Sequence, residues 1–155
     1  MKKHHVVVWL VTLSFLLVAT AAMARPWQGW KGSGGWGPGS PYQRMYNPAT
    51  VETVSGTVQD VQSAVPMKGM STGVHVILKT DKETIPVMLG PSWYIEKLDQ
   101  KIQKGDALEV KGSRVTYQGN PAIIAAEVKK GESTLILRDS NGIPAWAGWR
   151  GGKGR

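Results

Sequence analysis

The sequence contains no cysteine among its 155 residues. This absence excludes a disulfide scaffold, a thiol nucleophile, a zinc finger, an iron–sulfur cluster, covalently attached c-type haem and a lipoprotein anchor. The length permits one domain of ordinary size. Any stability must therefore come from the packing of a single modest core.

Acidic residues are absent from both ends of the chain, although the formal net charge is +8. All 11 Asp and Glu residues lie between Glu52 and Asp139, and residues 50–140 contain an equal number of Lys and Arg. The excess of positive charge therefore lies in the terminal regions. A neutral central region is a poor electrostatic match for a protein dedicated to duplex nucleic acid.

Catalytic motifs are also lacking. The sequence has no G-x-S-x-G elbow, no P-loop and no H-E-x-x-H pair, and His75 is the single histidine after residue 24. The carboxylates are scattered and stand mostly near lysines, as on a solvated surface. Because no nucleophile–base pair can be nominated, we expect a protein that is not an enzyme.

The first 24 residues have the pattern of a secretory signal peptide. Lys2 and Lys3 precede an apolar run over 6–19, and Ala22-Met23-Ala24 supplies the small residues that a signal peptidase recognises. We expect cleavage after Ala24, export to a bacterial periplasm or beyond, and no stable membrane anchor afterwards. The alternative is an uncleaved anchor, since residues 6–24 approach the length of a spanning helix.

The remaining chain divides into residues 25–49, 50–138 and 139–155. The first and last of these are rich in Gly, Trp and Pro or Arg, and residues 25–49 contain no Val, Ile or Leu. Such a composition predicts disordered tails, the first of them a tether.

The two tails share the pattern W-x-G-W-[K/R]-G, which either arose by chance or marks a pair of adhesive arms. Tryptophan with a basic residue suits a membrane surface, a glycan or a polyanion such as DNA. A third alternative is that Trp146 and Trp149 fold back onto the domain. The candidate contact residues are Trp27, Trp30, Lys31, Trp146, Trp149 and Arg150.

Alternating apolar residues predict five strands and a short sixth strand in the central region. Strand 1 carries a bulge after Val58, and strand 4 slips at Gly112. After strand 3, Ser92 is a candidate cap for a helix whose apolar stripe is Ile95, Leu98 and Ile102. The predicted strands cover residues 54–65, 74–78, 85–89, 108–117, 124–128 and 135–137.

The order β-β-β-α-β-β is that of a five-stranded OB barrel. The chain resembles the bacterial OB-fold (BOF-like) family of small exported periplasmic proteins over about residues 52–130. The resemblance rests on G-T-V-Q-D-V from Gly56 and on K-G-D-x-L-E-V-K-G from Lys104 to Gly112. It implies a barrel at the level of the fold and says little about function.

The turn at Asp81-Lys82 fixes the pairing of strands 2 and 3, because one register alone places apolar residues opposite one another. That register pairs Val74 with Leu89, Val76 with Val87 and Leu78 with Ile85. It leaves the other residues on the outer face, where OB folds bind ligands together with the loops after strands 1 and 4. The predicted ligand-face residues are His75, Ile77, Lys79, Met88 and Tyr117.

Soft side chains gather near the same face. Met67 and Met70 occupy the loop after strand 1, and His75 is predicted to lie opposite Met88. Thioether and imidazole ligands suit Cu(I), and the set resembles that of small periplasmic copper chaperones with an OB-like barrel. The alternative is that the methionines cover the mouth of the barrel and His75 with Met88 form an ordinary cross-strand pair.

These features together predict an exported binding module with an OB-type barrel, which holds a small ligand or an envelope protein on the strand 2–3 face. The two alternatives are Cu(I) binding through Met and His, and nonspecific DNA binding through the basic tails. Trp93 and Tyr94 add either an aromatic patch or a plug at the base of the barrel.

Overall fold

The computed structural model describes residues 33–147, which form a six-stranded sheet with a single turn of α-helix. The helix α1 (Ser92–Ile95) lies between the third and fourth strands, and two short 3-10 turns precede the first. The predicted all-β class is confirmed. The strands are β1 (Val51–Ala64), β2 (Gly73–Lys79), β3 (Thr84–Pro91), β4 (Ala107–Tyr117), β5 (Asn120–Lys130) and β6 (Ser133–Ile136).

The strands are hydrogen-bonded in the order β3-β2-β1-β4-β5-β6, and each neighbouring pair in this order is antiparallel. One further pairing joins β3 to β5 in parallel, through Val87 with Ile123 and Met88 with Ile124. The first five strands therefore form a ring of paired neighbours, with β6 attached to β5. Their inward-facing residues form the apolar core, which includes Val58, Val76, Leu78, Ile85, Val110 and Val128.

The predicted register of β2 and β3 is confirmed between residues 75–79 and 84–88. It fails at the end of the pair, where Val74 lies opposite Gly90 instead of Leu89. A bulge inserts one residue into β3 there, which alternation of apolar residues cannot reveal because both Leu89 and Gly90 are buried. The predicted irregularities after Val58 and at Gly112 are both present.

The predicted helix is much shorter than its apolar stripe suggested. Only Ser92–Ile95 is α-helical, its N-cap is Pro91, and the Ser92 hydroxyl makes no capping bond. Ile95, Leu98 and Ile102 nevertheless pack against the core. The stripe predicted the buried side correctly, but a segment this short takes its shape from packing instead of from intrahelical hydrogen bonds.

Residues 33–49 pack against the sheet, so the prediction of a flexible tether is wrong for this part of the chain. Trp36 and Tyr42 are fully buried, and Tyr46 is almost so. This segment lacks Val, Ile and Leu, but each of its aromatic side chains can bury about 150–250 Å². The prediction of a disordered tail over 139–155 is also wrong for residues 139–147, because Trp146 is buried.

Candidate functional site

The predicted ligand face on β2 and β3 is covered by the chain itself. His75 and Met88 lie opposite each other as predicted, but they are only 7% and 0% exposed. The hydroxyl of Tyr42, from the N-terminal segment, donates a hydrogen bond to Met88 Sδ at 3.1 Å. The prediction that these two residues face solvent is therefore wrong, because the segment before β1 occupies the face.

The other predicted ligand-face residues are split by this cover. Tyr117 is half-buried, its ring meets that of His75 edge-on at 6.4 Å, and its hydroxyl donates to the carbonyl of Pro66 at 2.6 Å. Ile77 is half-buried, and Lys79 is exposed at the far end of β2. Tyr117, His75 and Met88 thus form one cluster with Tyr42, while Lys79 lies apart from it.

The predicted soft ligands are brought together only in part. Met67 and Met70 are half-buried in the loop between β1 and β2 and pack against the core. His75 Nε2 is buried without a hydrogen-bond partner, and burial lowers the pKa of its imidazole. No group of three or more His, Asp or Glu side chains within residues 33–147 is arranged to hold a metal ion.

The predicted tail contacts are described only at Trp146, which packs inside the protein instead of facing a partner. Its ring lies 5.2 Å from that of Tyr94 and 6.3 Å from that of Trp36. The DNA-binding alternative rests on the tails, and its other residues lie outside the described range, as does the predicted signal peptide. Those residues are Trp27, Trp30, Lys31, Trp149 and Arg150.

An ion-pair cluster closes the cleft between β1 and the β2–β3 turn. Arg114 bonds to Glu52 through Nε at 2.8 Å and also to the Glu83 carboxylate. These bonds lower the pKa of Glu83 and raise that of Arg114. Since the carboxylates and the guanidinium satisfy one another, we assign this cluster a structural role: it fastens the turn to β4.

The second half of β1 has an open edge that was not predicted from the sequence. This strand is paired with β4 only over Val51–Thr57, and a last contact to the loop before β4 is made by Val58. From Asp60 to Ala64 it is paired with β2 alone among the described residues. The predicted bulge after Val58 was the available signal, because a bulge commonly ends one pairing of a strand.

The backbone at this edge is available for a further strand. Val61 N–H donates to the neighbouring Asp60 carboxylate, at 2.9 Å. Alternate residues of an antiparallel pair direct their N–H and C=O groups away from the partner. Val61, and with it Ser63, therefore belongs to the set that points to the open side.

A groove of about 310 Å³ adjoins the open edge. The edge forms one wall, and the segment after β3 and a residue of β6 form the others. Val61 is 37% exposed at the rim. The apolar lining residues are Val61, Val74, Leu89, Ile95, Ile102 and Leu135.

The charges at the rim of the groove are balanced. Glu96 and Lys101 both line it, and the Lys101 ammonium donates to the Glu96 carbonyl at 2.5 Å. Ser63 and Gln100 add uncharged polar groups. An apolar groove with few polar groups is the usual character of a binding site, and this one suits an uncharged occupant.

Comparison with known proteins gives a family for the chain. Residues 50–135, more than half of the sequence, match the model of the MamS/MamX magnetosome protein family. The chain belongs to this family. No curated protein matches the chain.

The matched range contains all of β1 to β5 and most of β6, and hence the open edge and every residue that lines the groove. This match does not confirm membership of the exported OB-fold family that the motifs resembled, so that resemblance stays a prediction. Within residues 33–147, no helix is both long enough and apolar enough to cross a membrane.

Proposed function

We propose that this MamS/MamX family member is a non-enzymatic binding module, and that it holds an extended segment of a partner protein in the groove beside β1. The observation that carries the proposal is that β1 is paired on one side only over 60–64, by β2, and that its open edge there borders an apolar groove. An added strand would satisfy the backbone groups at the edge, and its alternate side chains would fill the groove.

The edge favours a polypeptide over a small apolar ligand. Main-chain donors and acceptors at Val61 and Ser63 match the hydrogen-bond pattern of another strand. Five residues of β1 span about 17 Å at about 3.3 Å per residue, which is enough for a short strand. Balanced rim charges at Glu96 and Lys101 favour a segment without net charge.

Asp60 keeps this edge from pairing indiscriminately. Its carboxylate accepts from Val61 N–H and from the Gln62 side chain, both at 2.9 Å. A charged group at a strand edge is a common protection against aggregation. A partner strand therefore has to displace the Asp60 carboxylate, which selects for partners that also fill the groove.

We also propose that the sheet of this protein is an OB-type barrel. Its support is the ring of pairings in which β3 meets β5 in parallel, together with the single helical turn between β3 and β4. Five strands with this chain order are the OB arrangement.

The proposed location is outside the cytoplasm, in a magnetosome context. The export pattern of residues 1–24 supports the first part, and the family description supports the second. An intact mass beginning at Arg25 in the extracytoplasmic fraction tests the location. A protein retaining Met1 there would contradict the predicted cleavage.

Selection from a displayed library of random short peptides tests the binding proposal. The native protein, Val61→Lys and Thr53→Lys serve as baits; Thr53 is exposed on the paired half of β1 and is the matched control. We expect uncharged peptides with alternating apolar residues that bind native protein and T53K alike. Binding to V61K should fall by at least about tenfold, because a charge would enter the groove. Peptides that bind all three baits equally would contradict the proposal.

Soft-metal binding is a second candidate function, favoured by one observation. His75 Nε2 lacks a partner, and the thioether of Met88 is on the residue directly opposite. Titration with Cu(I) against a competing chelator should show one tightly bound equivalent, which is lost when Met67, Met70 and His75 are all replaced by Ala. Equal weak binding by both proteins would eliminate this candidate.

A further inference from the structure

The guanidinium of Arg138 lies inside the protein, at the seam where β3 and β5 separate. Arg138 is 1% exposed, and its Nη1 donates to the carbonyls of Leu89, at 3.1 Å, and Ala125, at 2.5 Å. These carbonyls directly follow the last parallel pair, Met88 with Ile124. Arg138 therefore continues the seam by side-chain hydrogen bonds after backbone pairing ends.

The remaining donors of Arg138 are unused. Nε and Nη2 are both buried and have no hydrogen-bond partner. Together they form one edge of the guanidinium, whose two parallel N–H groups match the two oxygens of a carboxylate or phosphate. A buried donor without a partner is costly, so an edge with two such donors calls for an acceptor.

No Asp or Glu side chain forms an ion pair with this guanidinium. All 11 acidic residues lie within the described range, and none of the ion pairs found there includes Arg138. Burial lowers the pKa of Arg138 to about 10, so the group stays charged at neutral pH. The ring of Trp146 lies 5.0 Å from the guanidinium carbon and stabilises the cation only in part.

We propose that Arg138 binds a small oxyanion, of the carboxylate or phosphate type, through Nε and Nη2 beneath residues 139–147. This site is separate from the groove beside β1. The anion would supply the missing acceptors and the missing negative charge in one step. Chloride is a poor substitute, because a spherical ion cannot accept both parallel N–H groups in the bidentate geometry.

The segment over Arg138 gives a route for the anion. Its turn over 139–142 is mostly exposed, and two backbone hydrogen bonds flank the bridge from Arg138 to Pro144: Asp139 N–H donates to the Ile143 carbonyl at 3.0 Å and Ala145 N–H to the Leu137 carbonyl at 2.9 Å. An exposed turn held by so few backbone bonds can open locally without global unfolding. The indole N–H of Trp146 donates to the Trp36 carbonyl at 2.9 Å, and this bond holds the segment in place over Arg138.

Titration of the native protein followed by NMR of the arginine Nε–H groups tests the proposal. Sodium formate, inorganic phosphate and sodium chloride are added at matched ionic strength. We expect the Arg138 resonance to shift saturably with formate or phosphate and not with chloride. The thermal midpoint should rise by at least about 2 °C at saturating oxyanion, because the anion binds only the folded state.

Two variants make the outcome decisive. Arg114→Gln removes a different arginine and should keep the full response to the oxyanion. Arg138→Lys keeps the charge but lacks the two parallel N–H groups, so it should lose the response. If R138K does not fold, the saturable shift in native protein still supports the site. A response that is linear, equal for chloride, or centred on Arg114 would mean an adventitious ion only and would overturn the proposal.

Discussion

The indole N–H of Trp146 donates to the backbone carbonyl of Trp36 at 2.9 Å, across 110 positions of the sequence. Trp36 in turn donates its own indole N–H to the carbonyl of Ser71, at 3.1 Å. This relay connects the C-terminal segment, the N-terminal segment and the β1–β2 loop. The two ends of the described chain are therefore parts of one core.

Replacing Trp146 by Phe should lower the free energy of unfolding by about 1–3 kcal/mol. The variant keeps an aromatic ring but leaves the Trp36 carbonyl buried without its donor and reduces the contact with Arg138. Urea unfolding of both proteins measures the change. Ile143→Ala, at a 49% exposed position of the same segment, is the control and should change it by less than about 1 kcal/mol.

Tyr42 gives a graded test of the cover over β2 and β3. Tyr42→Phe loses only the bond to Met88 Sδ and should cost about 0.5–1.5 kcal/mol. Tyr42→Ala also leaves a cavity and should cost about 3–5 kcal/mol. If unfolding showed no difference between Y42A and the native protein, residues 33–49 would be a tether after all.

The sequence patterns predicted the strands well and the aromatic segments poorly. Alternation located the strands and the pairing of residues 75–79 with 84–88, because a one-residue slip would have moved every apolar side chain to the wrong face. The segments around Trp36 and Trp146 have no such period. Their burial depends on contacts across the whole chain, which local spacing does not encode.

The candidate groove was beyond sequence analysis for a related reason. Val61 and Ser63 were predicted to lie in a strand. Whether that strand has a neighbour on both sides at these residues depends on where β2 and β4 begin and end. The predicted face at His75 and Met88 had the correct pairing and the wrong exposure. Its cover includes Tyr42, which bonds to Met88 from 46 positions earlier in the chain, and no sequence motif predicts that contact.

His75 makes stability depend on pH. Burial lowers its pKa in the folded state, so the unfolded chain, in which the pKa is about 6.5, binds the proton more readily. The free energy of unfolding should therefore fall as the pH drops below about 6.5, with a slope of at most about 1.4 kcal/mol per pH unit.

Replacing His75 by Gln should remove this slope between pH 6.5 and 5. The lowered pKa values of Glu83 and Asp106 contribute stability that is lost only as the pH falls through the ordinary carboxylate pKa and below it, so they do not obscure the effect at pH 5.5. Urea unfolding at pH 7.5 and 5.5 makes the comparison. Equal slopes in H75Q and the native protein would show that His75 is accessible to protons in the fold.

The open edge of β1 also predicts an effect of Asp60. Asp60→Asn weakens the bond that occupies Val61 N–H, because the amide oxygen accepts less strongly than a carboxylate. The variant should bind a selected peptide about two- to tenfold more tightly and should also self-associate more readily. Titration calorimetry and sedimentation measure these two changes, and unchanged affinity would argue against displacement of Asp60.

Amide hydrogen exchange at Val61 and Ser63 tests the central claim most directly. It is measured by NMR on the native protein, with and without a peptide that was selected on the native protein and binds V61K weakly. If the peptide adds as a strand to β1, exchange at these two amides slows by at least about tenfold, while Thr53 on the paired half is unchanged. If the peptide binds and exchange at Val61 and Ser63 stays the same, the groove is not a strand-docking site and the account is contradicted.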